Sequence, residues 1–310
     1  MSAKRSTLGP RPVLFACLVV ALAGAGCSVR RTAVNALGDA LAGGTSAWAA
    51  DDDPELIRDA TPFALKTIES LLAESPRHRG LLLAASGGFT QYSYAFVHAE
   101  ADFVEDTDFE RARALRARAR RLYLRARDYG LRGLDAAHPG FPAALRRDPA
   151  AALAPLTPAD VPALYWTAAA WGALISLAKD DGAVAADLPL VGAMLFRAAE
   201  LDESWGGGSV HDLLLAYEGG RPVAGGGSPE RARRHLDRAL EISSGRRASP
   251  LVGFAETVSV AAQERREFES LLRRALAVDA DAAPEFRLAN LVAQKRARWL
   301  LGRVDELFIE

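Results

Sequence analysis

Three stretches of this chain echo one another: LFRAAELD from Leu195, LDRALEIS from Leu236 and LRRALAVD from Leu272, with starts 41 and 36 residues apart. A unit of that length holds one helical hairpin, which cannot bury its apolar face alone and must stack on its neighbours. The spacing therefore predicts an all-α, tetratricopeptide-like helical-repeat solenoid with a concave inner face. The first unit is announced by DDDPEL: Asp53 caps a helix, Pro54 takes its first position and Glu55 sits in the first turn. Pro62 should then kink or restart that helix. Ala64, Ile68 and Leu71, with Pro76 five residues on, match the second half of a tetratricopeptide unit.

The segment FERARALRARARRLYLRARDYG reads as a long helix. Ala112, Leu115, Ala119, Leu122, Ala126 and Tyr129 form a narrow apolar stripe, and nine arginines between Arg111 and Arg132 flank it. Six acidic residues between Glu100 and Glu110 precede that run. A solvated, ion-paired face is expected rather than a nucleic-acid surface, since the formal net charge of the 310-residue chain is only -1.

SGGFTQYSYAFVHAE, residues 86–100, is ambiguous taken alone. As a strand it aligns Thr90, Tyr92, Tyr94 and Phe96; as a helix it separates Phe89, Tyr92 and Phe96 from Thr90, Gln91, Tyr94 and His98. The repeat pattern selects the helix, because Leu82, Ala85, Ser86 and Phe89 fall on the packing positions of the next unit. Gln91, Tyr94 and His98 are then candidates for binding a ligand or partner. Gly87 and Gly88 should admit a neighbouring helix. Glu100 lies on the apolar side and is expected to pair with an arginine of the 111–132 helix. Trp166 and Trp171, with Tyr165, line a groove or fill the core; both tryptophans join the candidate list.

The N-terminus carries a different signal. Lys4, Arg5 and Arg11 precede an apolar run from Pro12 to Gly26 that ends LAGAGC. A basic stretch, a short apolar stretch and small residues describe a signal peptide over residues 1–26. Cys17 lies inside it, so the mature chain would keep one cysteine, Cys27, as a site for lipid attachment in the manner of a bacterial lipoprotein. Gly24 departs from the usual leucine three before that cysteine. Residues 27–50 read as a lipidated, partly helical tether, and 51–310 as the helical domain. No later segment is expected to span a bilayer, leaving the lipid as the membrane anchor.

Catalytic patterns fail on geometry. Ser209, His211 and Asp212 in GGGSVHD crowd one helix start, where their side chains point apart, and no nucleophile elbow precedes them. Ser209 is expected to be an N-cap. The five histidines lack metal-ligand spacing. The expectation is a non-enzyme without metal or cofactor.

Taken in order, DDDPELIRDATPFALKTIESLLAESPRHRGLLLAASGGFTQYSYAFVHAEAD, RARRLYLRARDYGLRGL, YWTAAAWGALISLAKDD, LPLVGAMLFRAAELDESWGGGSVHD and PEFRLANLVAQKRARWLL resemble the T-component family of TRAP (tripartite ATP-independent periplasmic) transporters. The resemblance runs from Asp51 to the C-terminus; the insert GGRPVAGGGSPE departs from it. It implies an exported lipoprotein of the periplasm, held at a bacterial membrane, the outer one by preference, with a tetratricopeptide-like body and with assembly into a homo-oligomer around a central opening left open. The implied partner is the periplasmic substrate-binding protein of a system importing organic acids or related small solutes. The chain itself would bind or channel a small organic ligand, or dock that protein. A ligand-free scaffold for envelope assembly is the alternative.

Overall fold

The computed structural model describes residues 35–36, 45–178 and 180–309. The signal segment and Cys27 lie outside them. Among the described residues every regular element is helical: α1 Thr45–Ala49, α2 Pro54–Glu74, α3 Arg79–Tyr92, α4 Ala99–Val104, α5 Phe109–Ala137, α6 Phe141–Arg147, α7 Pro149–Leu153, α8 Val161–Ser176, α9 Gly182–Ala185, α10 Leu188–Asp202, α11 Trp205–Gly219, α12 Pro229–Ile242, α13 Ser249–Phe254, α14 Arg265–Leu276, α15 Arg287–Leu301 and α16 Val304–Leu307. Two π-helical segments interrupt the series, Ser93–His98 between α3 and α4 and Ala255–Ser259 after α13.

Local chemistry sets the ends. Asp53 accepts from the backbone N–H groups of Glu55 and Leu56 at the start of α2, and Ser228 accepts from Arg231 N–H ahead of Pro229 in α12. Helix α2 runs through Pro62 instead of restarting there. Proline removes the bond to the Arg58 carbonyl, but Arg58 is exposed and water can take that place. In each of the three echoes the leucine and the alanine three residues later are buried: Leu195 and Ala198, Leu236 and Ala239, Leu272 and Ala275, none more than 2 % exposed. The echo is a packing signal, a large residue and a small one where a neighbouring helix crosses.

Three cores follow one another along the chain and share helices. The first joins α2, α3, α5 and α8; the second fills the space between α5–α8, α10 and α11; the third is built by α11–α16. On α8, Ala170 and Leu174 belong to the first core, Ala168 and Trp171 to the second. On α11, Leu214 faces the second and Leu215 the third. The stripe on α5 is of small residues, Ala112, Ala119, Ala126 and Gly130, and is completed by Tyr123, which is fully buried.

One expectation, that no later segment is long and apolar enough to span a bilayer, is corrected. Gly182–Asp202 is long and apolar enough to cross a membrane by length and composition. In the fold it breaks into α9 and α10, and Val191, Met194, Leu195 and Ala198 sit in the second core. The tether is engaged at two points: Asn35 accepts a hydrogen bond from the Ser75 hydroxyl at 2.9 Å, and α1 packs on α15.

The chain ends close on its beginning. Helix α15 reaches α1 and α2, with Arg287 Nη1 donating to the Ala50 carbonyl at 2.9 Å and Lys295 Nζ 3.7 Å from Glu55. Trp299 packs on Phe103 of α4 with ring centroids 5.6 Å apart, and Arg303 pairs with Asp106. The end of the helical series thus packs back on its beginning.

Candidate functional site

Tyr94 stands near charges brought from distant segments. It is 55 % exposed, and the charges of Glu256, Arg296, Asp212 and Asp102, from four other parts of the chain, all act on its hydroxyl. The crowding, reinforced by the Glu256 carboxylate, pushes the phenol up to about 12. Tyr165 of α8 feels some of the same charges: Asp212, Arg247 and Tyr94 all act on it. Burial raises its pKa as well.

Both π segments deliver side chains here, Tyr94 from the first and Glu256 from the second. Each widened turn contains a hydroxyl bonded four residues back, Ser93 Oγ to the Phe89 carbonyl and Thr257 Oγ1 to the Gly253 carbonyl, both at 2.6 Å. Such back-bonding competes with the ordinary helical N–H for that carbonyl. The extra residue in the turn re-aims the side chains around it, as π-bulges at functional sites do.

The charges near Tyr94 occur as pairs, with one donor left over: Arg296 Nη1 is buried and lacks a hydrogen-bond partner, although it lies close to Asp102. Arg247, buried, meets Asp212 with both nitrogens, Nη1 to Oδ1 at 3.1 Å and Nη2 to Oδ2 at 2.6 Å. Its remaining contacts go to the Gly207 carbonyl and Ser249. Arg296 lies between Glu256 and Asp102, with Nη1 2.9 Å from Asp102 Oδ2, and stacks 4.3 Å from the Trp299 ring. Arg116 holds Asp102 from the far side at 3.0 Å and takes both oxygens of Glu105.

Beside Tyr165 stand Trp166 and Trp205, with centroids 4.8 and 4.7 Å from it. Trp205 leads into Gly206, Gly207 and Gly208, whose φ values of 59°, 65° and 85° form a left-handed turn. Three residues with side chains would resist that conformation. Ser209 donates to the Gly206 carbonyl at 2.7 Å, so it back-bonds the turn in place of the expected N-cap. His211 turns away to His235 (Nδ1 to Nδ1, 3.0 Å) and Glu203, while Asp212 goes to Arg247. The three members of the apparent triad have separate partners.

Of the sequence candidates, Tyr94 and His98 are brought together. His98 feels Asp102, Arg296 and Glu256 as Tyr94 does, its Nδ1 lies 3.4 Å from the Tyr123 hydroxyl, and burial lowers its pKa. Trp166 stands on the adjoining aromatic patch; a Cβ at Gly87 would sit 3.1 Å from its indole. Gln91 is exposed and its amide bends back to the Gly87 carbonyl of its own helix. Trp171 is removed from the site: it is 1 % exposed, in the second core, with Arg127 and Arg146 over its ring. Glu100 accepts from Arg111 Nη2 at 2.8 Å on the outer surface. Asp102, Glu256 and Arg296 were not legible, because they meet only where α15 packs back on α4 and the second π segment; Arg247 was missed as well, since its pairing with Asp212 joins two separate helical segments.

The described residues thus form an all-helical fold in which tyrosines and paired charges from distant segments come near one another, with no group of three or more metal-type ligands among them. Residues 50–308 match the family described as TRAP transporter T-component. An uncharacterized protein of Treponema pallidum (strain Nichols) is 30 % identical over 307 residues, covering 92 % of this chain and 94 % of that one. The chain belongs to the TRAP transporter T-component family. Membership gives it an accessory role in such a transporter, in contact with other transporter components at a membrane-associated or periplasmic location.

Proposed function

We propose that this protein is an exported lipoprotein, anchored through Cys27 at the outer membrane, whose tetratricopeptide-like body receives a small ligand around Tyr94 and docks the periplasmic substrate-binding protein of its TRAP system. It performs no covalent chemistry: it holds or passes on a solute. The observation carrying this reading is Tyr94, an exposed aromatic side chain on the same π segment as His98 and near charges from four other parts of the chain. Ligand sites combine apolar walls with a few convergent polar groups, which a purely structural scaffold does not need.

Crosslinking in cells that carry a tagged full chain, followed by mass spectrometry, tests the docking. Recovery of a TRAP-type binding protein supports it; recovery of envelope assembly factors alone returns the scaffold. The mass of the mature N-terminal peptide tests lipidation of Cys27 in the same sample.

A further inference from the structure

We infer that the exposed face of α5 lies against an anionic phospholipid surface, with a stripe of arginines meeting the lipid phosphates. This rests on the reading that Cys27 is lipidated, and it adds which side of the folded body faces the membrane.

The arginines of α5 divide by face. Arg111 pairs with Glu100, Arg116 with Asp102 and Glu105, Arg120 with Asp181 and Arg127 with Asp128. Arg118, Arg121, Arg125 and Arg132 are spaced three, four and seven residues apart, which puts them on one side of the helix, and all four are exposed. Among the described residues Arg121 has neither a hydrogen bond nor an ion pair. Arg118 meets the Tyr92 hydroxyl and ring, and Arg132 the Pro76 carbonyl and the Tyr129 ring. Neutral partners of this kind hold a guanidinium in place without cancelling its charge. Arg125, over the Phe89 ring, lies 3.4 Å from Glu69, but Lys66 already holds that carboxylate at 2.6 Å. Helix α3, packed alongside, carries no acidic residue. Four arginines and Lys66 thus stand around Glu69, a local positive surplus on a chain whose formal net charge is -1.

The tether brings a lipid surface to this face. Asn35 accepts from the Ser75 hydroxyl at 2.9 Å, and the next residue, Pro76, accepts from Arg132 at 3.1 Å. The tether therefore meets the body at one end of the stripe. Asn35 stands eight positions after Cys27, a reach of at most about 29 Å, and Arg118 to Arg132 covers about 21 Å of helix. Acyl chains on Cys27 would hold the Arg132 end within reach of headgroups, and the rest of the stripe can lie down beside it. Acyl anchoring combined with a basic patch stabilises surface binding, and the guanidinium fork matches phosphate geometry.

The test uses the chain as the cell processes it, isolated from the envelope and placed on vesicles of phosphatidylcholine, alone or mixed equally with phosphatidylglycerol. A nitroxide on Ala114→Cys reports the contact, since Ala114 is exposed and in line with Arg118 and Arg121. The expected result is a fall of about threefold or more in the label's accessibility to aqueous nickel, on phosphatidylglycerol only and reversed by salt. Combining Arg118→Gln, Arg121→Gln and Arg125→Gln should abolish that fall with helicity unchanged. Combining Arg118→Lys, Arg121→Lys and Arg125→Lys should keep it, because the charge remains. Equal accessibility on both lipids overturns the inference and leaves the stripe to an acidic protein partner. A fall that the glutamine variant retains, or that the lysine variant loses, overturns it as well. A chain that does not float with phosphatidylcholine alone sinks the lipidation of Cys27 instead. The stripe is then judged by flotation with phosphatidylglycerol: salt-reversible binding that the glutamine variant lacks supports it, and no binding refutes it.

Discussion

At position 130 a single hydrogen stands where any other residue would place a methyl 2.1 Å from Thr167 Oγ1 and 2.9 Å from Ser86 Oγ. Thr167 cannot turn away cheaply, since it is fully buried and donates to the Ala163 carbonyl at 2.6 Å. Gly130→Ala should therefore lose about 1–3 kcal/mol through overpacking despite alanine's better helix propensity, read as a lower urea midpoint at unchanged slope. A second residue-scale effect depends on pH. His211 and His235 meet through their Nδ1 atoms at 3.0 Å, a contact that works only if one nitrogen lacks its proton. Burial lowers both from their ordinary 6.5, with His235 falling to about 4. Glu203 and Glu218 oppose the shift; Arg231, Arg234 and Arg238 reinforce it. The folded chain consequently binds fewer protons than the unfolded one between those values. The neutral pair's contribution is complete above about pH 6.5 and is lost progressively as the pH falls toward 4. Urea midpoints at pH 7.5, 6.0 and 5.0 should decline, and His235→Gln should flatten that decline over this range. Glu203, held near 2 by Arg238 first and His211 second, loses its own contribution only at lower pH, between its ordinary 4.5 and about 2.

On the scale of elements, the left-handed turn before α11 is the most sensitive to sequence. Gly207→Ala would place a β-carbon 2.5 Å from the Phe286 ring at φ +65°. The backbone alone should cost about 1–2 kcal/mol, with the ring clash added. Gly182→Ala, in open space at the start of α9, should stay within about 0.5 kcal/mol of the parent; equal losses at both sites would refute the argument. The glycine run is visible in the sequence, but not its hand. Helix existence was legible wherever caps and period agreed, as at Asp53, at Ser228 and in the Leu-x-x-Ala echoes. Burial within a long helix was less so: the α5 stripe is recognisable while Tyr123, at its centre, is not, because a tyrosine between arginines resembles a surface residue until His98 is placed beside it. The π segments were hidden for a related reason. A hydroxyl bonded to the carbonyl four residues back leaves no mark on hydrophobic period, so the turn that aims Tyr94 inward reads as ordinary helix.

At the scale of the whole molecule, the two ends of the helical series are joined by contacts between residues about 200 apart in sequence, the kind that local pattern does not encode. Closure joins α4 to α15 through Arg296 with Asp102, Trp299 with Phe103, and Arg303 with Asp106. These contacts differ in weight. Asp106 is 59 % exposed, and an exposed pair of that kind is worth about 0–1 kcal/mol. Arg296 is only 14 % exposed and anchors two carboxylates, and removing one partner of such a group leaves a charge stranded. Water reaches Glu256, which is 34 % exposed, and Asp102 keeps Arg116, so the loss in Arg296→Met should be tempered to about 1–3 kcal/mol. If α4 and α15 are held as one cooperative unit, hydrogen exchange must rise together over 99–104 and 287–301 in Arg296→Met while α10, on the far side of the second core, keeps its protection. Faster exchange in α15 alone would mean that the closure rests on Phe103 and Trp299. Joint release would make Arg296, through Asp102, the group that holds the end of the helical series to its beginning.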